Sequence, residues 1–332
     1  MKTTLPELID NTRNYLGLLR KRPIEEVYTK LLLQGQPGPQ LPNYGDDAAV
    51  IPWQDGYLLF AADGMMTRLL VNEPYAAGKS SVMVTVNDIY SMGGRPLAMV
   101  NVLANSDDAH RSKVIDGIRR GCEKLQVPMV GGHLHPDAPS DTPSLSVAIL
   151  GHSKKLLRSH LATPGDDLIF AADLNGQAGC YSVVSWDANS GKTPEELIHR
   201  LETLPIIAEK EWAHACKDVS NAGLLGTVSI MMENSGRGAF IDLNAIPCPV
   251  ELNLSDWIIS FQSFGFILSV SPAFSPAVID LFKERQIDAA VIGGVTDERK
   301  VTLRSGSQSH TLFDFNQDKI TGITYRPENT QP

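Results

Sequence analysis

The sequence predicts an α+β protein built from two αβ domains, residues 1–157 and 158–332. Three observations predict it. A chain of 332 residues is long enough for two cores. Strand-like and helix-like apolar periods alternate along both halves. Between the halves, Thr163-Pro164-Gly165-Asp166-Asp167 concentrates turn chemistry where the composition changes.

Taken in order, Leu5, Leu8, Ile9, Leu16 and Leu19 share one helical face, with Pro6 suited to a first turn after Thr4. Arg20-Lys21-Arg22 precedes a second helix that opens at Pro23. Residues 35–42 are rich in Gly and Pro and read as a connector. Strands are expected over 48–53, 57–62, 97–103, 127–130 and 144–150, and helices over 74–92 and 109–125. In the second half, strands are expected over 167–172, 239–243, 264–270, 289–292 and 300–304. Helices are expected over 193–201, 206–214, 224–233 and 272–285. The polar tail from Tyr325 reads as loose.

Composition narrows the function. Hydrophobic residues make up 42% of the chain, an ordinary globular value, and the net charge is −9. That charge argues against a nucleic-acid surface, which needs clustered Lys and Arg, but leaves room for a nucleotide whose charge a metal neutralises. The four cysteines are scattered and form no CxxC pair, as in a reduced, cytoplasmic protein. No signal-peptide core or membrane-length apolar run is present.

The informative stretch is Thr85-Val86-Asn87-Asp88-Ile89-Tyr90-Ser91-Met92-Gly93-Gly94-Arg95-Pro96. Val82, Val86 and Ile89 make an apolar stripe, Gly93 and Gly94 supply a left-handed exit, and Pro96 forbids continuation. Asn87 and Asp88 do nothing for this helix, and a carboxylate among apolar neighbours costs free energy unless something pairs with it. With no Lys or Arg close in sequence, a metal ion is the expected partner.

Other candidates are individually modest. Gly45-Asp46-Asp47-Ala48-Ala49 sets two acids at the mouth of a strand, where a capped turn is the plain alternative. Asp63 ends an apolar strand, and Arg68 offers a fork for phosphate or carboxylate; an Asp-Gly turn is the bland alternative. Gly131 and Gly132 suit close approach to a ligand, and His133, His135 and Asp137 would share a face of an extended chain, as in a zinc site. Asp218 or Ser220, with Asn221 following, is expected to cap a helix whose free amides also suit an anion. Asp46, Asp47, Asp63, Asp88 and Asp137 all fall in one half of the chain. Two such charges about 4 Å apart repel by about 4 kcal/mol at an effective dielectric near 20. Such a cluster calls for divalent cations, and oxygen-only ligands favour Mg²⁺, which commonly shares its shell with nucleotide phosphates.

In this order, the motifs resemble the AIR-synthetase-like superfamily of ATP-using enzymes. The resemblance spans roughly residues 40–305 and continues through Ser235-Gly236-Arg237-Gly238-Ala239, Ile241-Asp242-Leu243 and Ile246-Pro247. It implies an N-terminal domain that holds ATP and Mg²⁺ and pairs its sheet in a homodimer, and a C-terminal αβ sandwich. It implies that Asp46, Asp47, Asp63 and Asp88 are metal or phosphate ligands. Asn87, Gly131, Gly132, Asp218, Ser220 and Asn221 would contact the nucleotide. The chemistry implied is phosphoryl transfer from ATP to an oxygen of a small molecule. Arg68 and Lys21 are the expected catalytic cations, Lys21 folding over the triphosphate; a solvated helix end is the plain alternative for Lys21.

Named activities of the superfamily each meet a departure. Selenophosphate synthetase places a reactive Cys or selenocysteine near its N-terminus, and here no Cys precedes Cys122. The hydrogenase maturation factor ends in a reactive Cys, whereas this sequence ends in Pro332. Aminoimidazole ribonucleotide synthetase has a Lys where Arg68 stands. Thiamine-monophosphate kinase carries late acids where Gln262-Ser263-Phe264-Gly265-Phe266 stands. The readings that follow are an uncharacterised branch activating an unknown acceptor, one of these enzymes with altered motifs, a non-catalytic nucleotide-binding scaffold or sensor, or a zinc hydrolase through His133, His135 and Asp137.

Overall fold

A computed structural model describes residues 4–31 and 45–325. The connector expected at 35–42 and the tail beyond Tyr325 lie outside the described residues. The elements run α1 (Leu5–Arg13), α2 (Leu16–Leu19), α3 (Ile24–Leu31), β1 (Ala49–Trp53), β2 (Gly56–Gly64), α4 (Thr67–Asn72), α5 (Pro74–Ser91), β3 (Arg95–Ala104), α6 (Asp108–Leu125), β4 (Met129–His135) and β5 (Ser144–Ser153). They continue with β6 (Asp167–Ala172), β7 (Gln177–Ala178), β8 (Ser185–Asp187), α7 (Pro194–Leu201), α8 (Thr203–Glu209), β9 (Ala213–Asp218), α9 (Gly223–Ser235), β10 (Gly238–Asp242), a 3-10 turn (Leu243–Ala245) and α10 (Leu254–Trp257). β11 (Phe261–Gln262), β12 (Gly265–Val270), α11 (Ser275–Glu284), β13 (Asp288–Thr296), β14 (Lys300–Ser305) and β15 (Gln308–Asp314) complete the fold. Among the described residues no helix is long and apolar enough to cross a membrane.

The chain forms two compact bodies. One comprises Asp47–Leu156 with Gly176–Glu209, the other Met1–Asp46, Leu157–Asn175 and Lys210–Pro332. In the first body a five-stranded sheet has the order β1-β2-β5-β3-β4, antiparallel except between β3 and β4. Alternating residues such as Leu59, Ala61, Val147 and Ile149 turn inward, and α5 packs across β2, β3 and β5. The opposite rows expose Ile51, Trp53, Phe60, Val100 and Val102.

Residues 176–209 belong to this body, which sequence periodicity gave no reason to expect. Polar contacts hold them there. The Glu73 carboxylate accepts from Ser182 N at 2.9 Å and Tyr181 N at 3.3 Å. Lys79 pairs with Asp187 at 3.6 Å, and Arg95 reaches both Glu202 and Glu209. The expected helix at 206–214 ends at Glu209 instead. Glu211 takes a left-handed φ of 54°, and residues 213–218 pair with β12 as a strand.

In the second body a seven-stranded sheet has the order β15-β14-β10-β13-β6-β12-β9. α9 packs against β9 and β10, and α11 against β6 and β13. The N-terminal helix is two helices, because the turn at Asn14-Tyr15 breaks the single stripe into α1 and α2. Thr4 and Glu7 form a reciprocal capping box at the start of α1. β15 is an addition to the expected strands, joined to β14 by a turn at Gly306, whose φ is +57°.

Candidate metal and nucleotide site

The first body builds its site on α5. Val82, Val86 and Ile89 have no exposed surface, so the helix is fixed in rotation against the sheet. Gly93, at φ +77°, ends it, and Gly94 N donates back to Ile89 O at 3.0 Å. A Cβ on Gly94 would meet a Leu59 methyl at 2.3 Å, so the exit also requires a bare backbone. That geometry buries Asn87 and leaves Asp88 half-buried.

Asp47 sits in the bend that leads into β1. Ser91 Oγ lies 2.7 Å from Asp47 Oδ2 and 2.9 Å from Asp88 O, so its single proton serves one or the other. The carboxylates of Asp47 and Asp88 each offer an oxygen within 4.8 Å of the other. The donors are hard oxygens without thiolate or imidazole, which fits Mg²⁺ or Mn²⁺ better than Zn²⁺ or Cu²⁺.

Asp46 belongs to the second body, and its carboxylate is enclosed. The Arg158 guanidinium pairs with it, Ser159 N donates at 2.7 Å and Ser159 Oγ at 2.9 Å, and His160 Nδ1 stands 3.4 Å away. Burial pushes this carboxyl up, but His160 and Arg158 outweigh burial and hold it below the usual carboxylate range. Gly45 O accepts from Ser159 Oγ at 2.8 Å and from Asn234 Nδ2 at 3.0 Å, which locks the turn from both sides.

The other expected residues are spread more widely. Asp63 is exposed near the end of β2 and accepts from Gly64 N at 2.8 Å. Arg68 is exposed in α4, a helix the sequence reading left unassigned. Gly131 and Gly132 lie within β4. A Cβ on Gly132 would meet Asn101 O at 2.6 Å, so the close approach this glycine serves is to β3. His133 and His135 are exposed on β4 with ring centroids 4.5 Å apart, and Asp137 follows in an exposed turn. Among the described residues, no group of three metal-ligating side chains includes any of these three. Lys21 is half-exposed in the turn between α2 and α3.

Asp218 and Ser220 do not cap α9, contrary to expectation. Asp218 is the last residue of β9, paired with Phe266, and Val219 N still donates to Gly265 O at 2.8 Å. The chain stays extended past the point where a cap would form. The helix begins beyond Ala222, which offers no side-chain cap, and Leu224 N is satisfied by Ile258 O at 2.7 Å. Asp218 is buried, while Ser220 and Asn221 are half-buried.

Sequence reasoning missed Ser91, although it lies one helical turn beyond Asp88. It also missed Glu233, a carboxylate inside the apolar helix α9. Glu233 accepts from Ile320 N, Thr321 N, Thr321 Oγ1 and Gly322 N at 2.7–3.2 Å. The test applied to Asp88, an acid in an apolar stripe, applied equally to Glu233 and would have found it.

Two αβ bodies, one with hard-oxygen acids beside a sheet-bound helix, define a protein of the AIR-synthase-like, PurM-type class. The chain belongs to the AIR synthase related family: residues 45–153 match its N-terminal domain and residues 163–306 its C-terminal domain. An uncharacterised protein of Synechocystis sp. is 37% identical over 324 residues, covering 96% of this chain and 99% of that one. Two solved structures share the fold. Thermotoga maritima PurL complexed with ATP superposes with a TM-score of 0.70 at 18% identity, over 94% of this chain and 55% of PurL, so the chain spans about half of that protein. AaThiL complexed with AMPPCP and TMP superposes with a TM-score of 0.64 at 19% identity, over 87% of this chain and 96% of that one.

Proposed function

We propose that the protein is an ATP- and Mg²⁺-dependent enzyme that phosphorylates an oxygen of a small molecule. The observation that carries this reading is the approach of the Asp47 and Asp88 carboxylates on a helix rigidly held by Val82, Val86 and Ile89. Like charges so close gain from a cation between them. Proteins of the same fold solved with ATP and with AMPPCP support a nucleotide as the phosphate source.

Asp47 and Asp88 would hold Mg²⁺, which supplies charge neutralisation for the phosphates. Ser91 orients Asp47 with its hydroxyl. Asp46 anchors the Gly45-Asp46 turn within the second body. Asp63, Asn87, Asp218, Ser220 and Asn221 are proposed nucleotide contacts, and Arg68 and Lys21 proposed phosphate cations. Catalysis then rests on holding donor and acceptor oxygens in line.

Equilibrium titration of ATP with and without Mg²⁺ tests the reading. Binding should require Mg²⁺ and weaken about a hundred-fold or more in Asp88→Asn, beyond the ten- to hundred-fold typical of outer-shell losses. Equal binding in the variant, or Mg²⁺-independent binding, contradicts it.

The exposed sheet face of the first body supports a homodimer. Ile51, Trp53, Phe60, Val100 and Val102 are each 40–53% exposed, in adjacent rows of one sheet face. Sedimentation should show a dimer that Phe60→Asp shifts to monomer; a wild-type monomer at micromolar concentration rejects it.

A further inference from the structure

Gln262 ends β11, just ahead of β12, and is 1% exposed. Neither its Oε1 nor its Nε2 has a hydrogen-bond partner among the described residues. A buried amide in that state costs free energy that an apolar side chain of the same volume would not. The amide lies against the backbone of Gly265, where a Cβ would meet Oε1 at 2.1 Å and Cδ at 3.0 Å. Glycine at 265 therefore makes the room the amide occupies.

The surroundings at this end of the seven-stranded sheet are polar. Register sets Gly265 beside Ala172, the residue before Asp173, and sets Phe266 beside Asp218. Asp288 lies beside Ala172 from the other flank. Burial, and then the charge of Asp173, push the Asp288 carboxyl above its usual range. Asn221, three residues past Asp218, also keeps a buried Oδ1 with no partner among the described residues. A few residues further along the same strands, Ile169, Phe170, Ile267 and Leu268 are wholly apolar and fully buried. At the opposite end of these strands Asp166, Asp167, Ser269 and Ser275 satisfy one another, whereas at this end Gln262 keeps both its donor and its acceptor unmet among the described residues.

We infer that Gln262 is a specificity-determining residue whose amide reads a ligand edge offering one donor beside one acceptor. A primary amide donates through Nε2 and accepts at Oε1, so its complement is another amide-like edge. A carboxylate, with two acceptors, and an ammonium, with donors only, both leave half of it unpaired. Two ligands present such an edge: a carboxamide or lactam on the acceptor molecule, and adenine, with which Gln pairs through N6 and N7. Naming either as a ligand here rests on the phosphoryl-transfer reading above.

The full-length protein labelled with ¹⁵N-glutamine gives a direct test. The Gln262 side-chain NH₂ signal is assigned by its loss in Gln262→Met, a variant of similar volume that should be at least as heat-stable as wild type. Probes are ATP with Mg²⁺, acetamide and glycinamide, and the matched carboxylates acetate and glycine. The amides or ATP should move the Gln262 signal and bind Gln262→Met about ten-fold more weakly, the scale of one or two lost hydrogen bonds. Acetate and glycine should leave it in place. Movement by the amides assigns the edge to the acceptor, and movement by ATP assigns it to adenine. A signal that no probe moves, or equal affinities in wild type and Gln262→Met, overturns the inference. An amide-responsive Gln262 in a protein that binds no ATP would sink phosphoryl transfer and spare this assignment. Mg²⁺-dependent ATP binding with a silent Gln262 would do the reverse.

Discussion

The two bodies treat their acids in opposite ways. In the second, Asp46 faces a guanidinium and two donors of Ser159, and Glu233 accepts from three backbone amides and a hydroxyl. In the first, Asp47 and Asp88 face each other. Asp46 and Asp47 are adjacent in the chain, so sequence alone gives them equal standing. The difference is what the fold sets opposite each carboxylate. An acid enclosed by donors is committed to the architecture, whereas two acids that approach each other suit the cation proposed above.

That contrast is easiest to break at Arg158. Arg158→Ala should destabilise the second body by about 3–5 kcal/mol, because it strands a carboxylate whose side chain is fully buried. Denaturant unfolding measures this, and a loss below about 1 kcal/mol would place Asp46 among surface-like acids. Acid titration sharpens the same point. The folded-state pKa of Asp46 is depressed, so its contribution to stability is present above the ordinary carboxylate pKa and is lost as pH falls through the folded value. Asp46→Asn should flatten the acid limb of the stability curve, at the cost of lower stability near neutrality.

On the other side of the comparison, Asp88→Asn should raise the melting temperature of metal-free protein while weakening Mg²⁺ binding. The repulsion it relieves is that of two like charges within 4.8 Å of each other, screened by the solvent that reaches both half-buried groups. A variant less stable than wild type without metal would show that Asp47 and Asp88 do not strain the apo state. The smallest effect is expected at Arg95. Its side chain is 42% exposed, so Arg95→Ala should cost at most about 1 kcal/mol in thermal unfolding, despite contacts to Glu202 and Glu209.

Much of this was legible in the sequence where local and tertiary signals agree. α5 carries a stripe, a left-handed glycine and a proline stop, and its bounds fall within one residue of expectation. The α9 start was misread because Asp218 and Ser220 are good caps locally, while pairing of β9 with β12 holds the chain extended past them. The return of residues 176–209 to the first body depends on Glu73, Lys79 and Arg95 meeting partners over a hundred residues away, for which periodicity carries no signal. The β14–β15 turn carries a visible signal at Gly306, but Gln308-Ser309-His310-Thr311 gives β15 no apolar alternation to read. For the candidate site, the acids were visible and their division into enclosed and facing pairs was not.

The most direct measurement is anomalous diffraction from crystals in which Mn²⁺ replaces Mg²⁺ alongside AMPPCP. A manganese peak bonded to oxygens of both Asp47 and Asp88, with none at Asp46, is the predicted result. Manganese bound elsewhere, with those two carboxylates left without a cation, would contradict it.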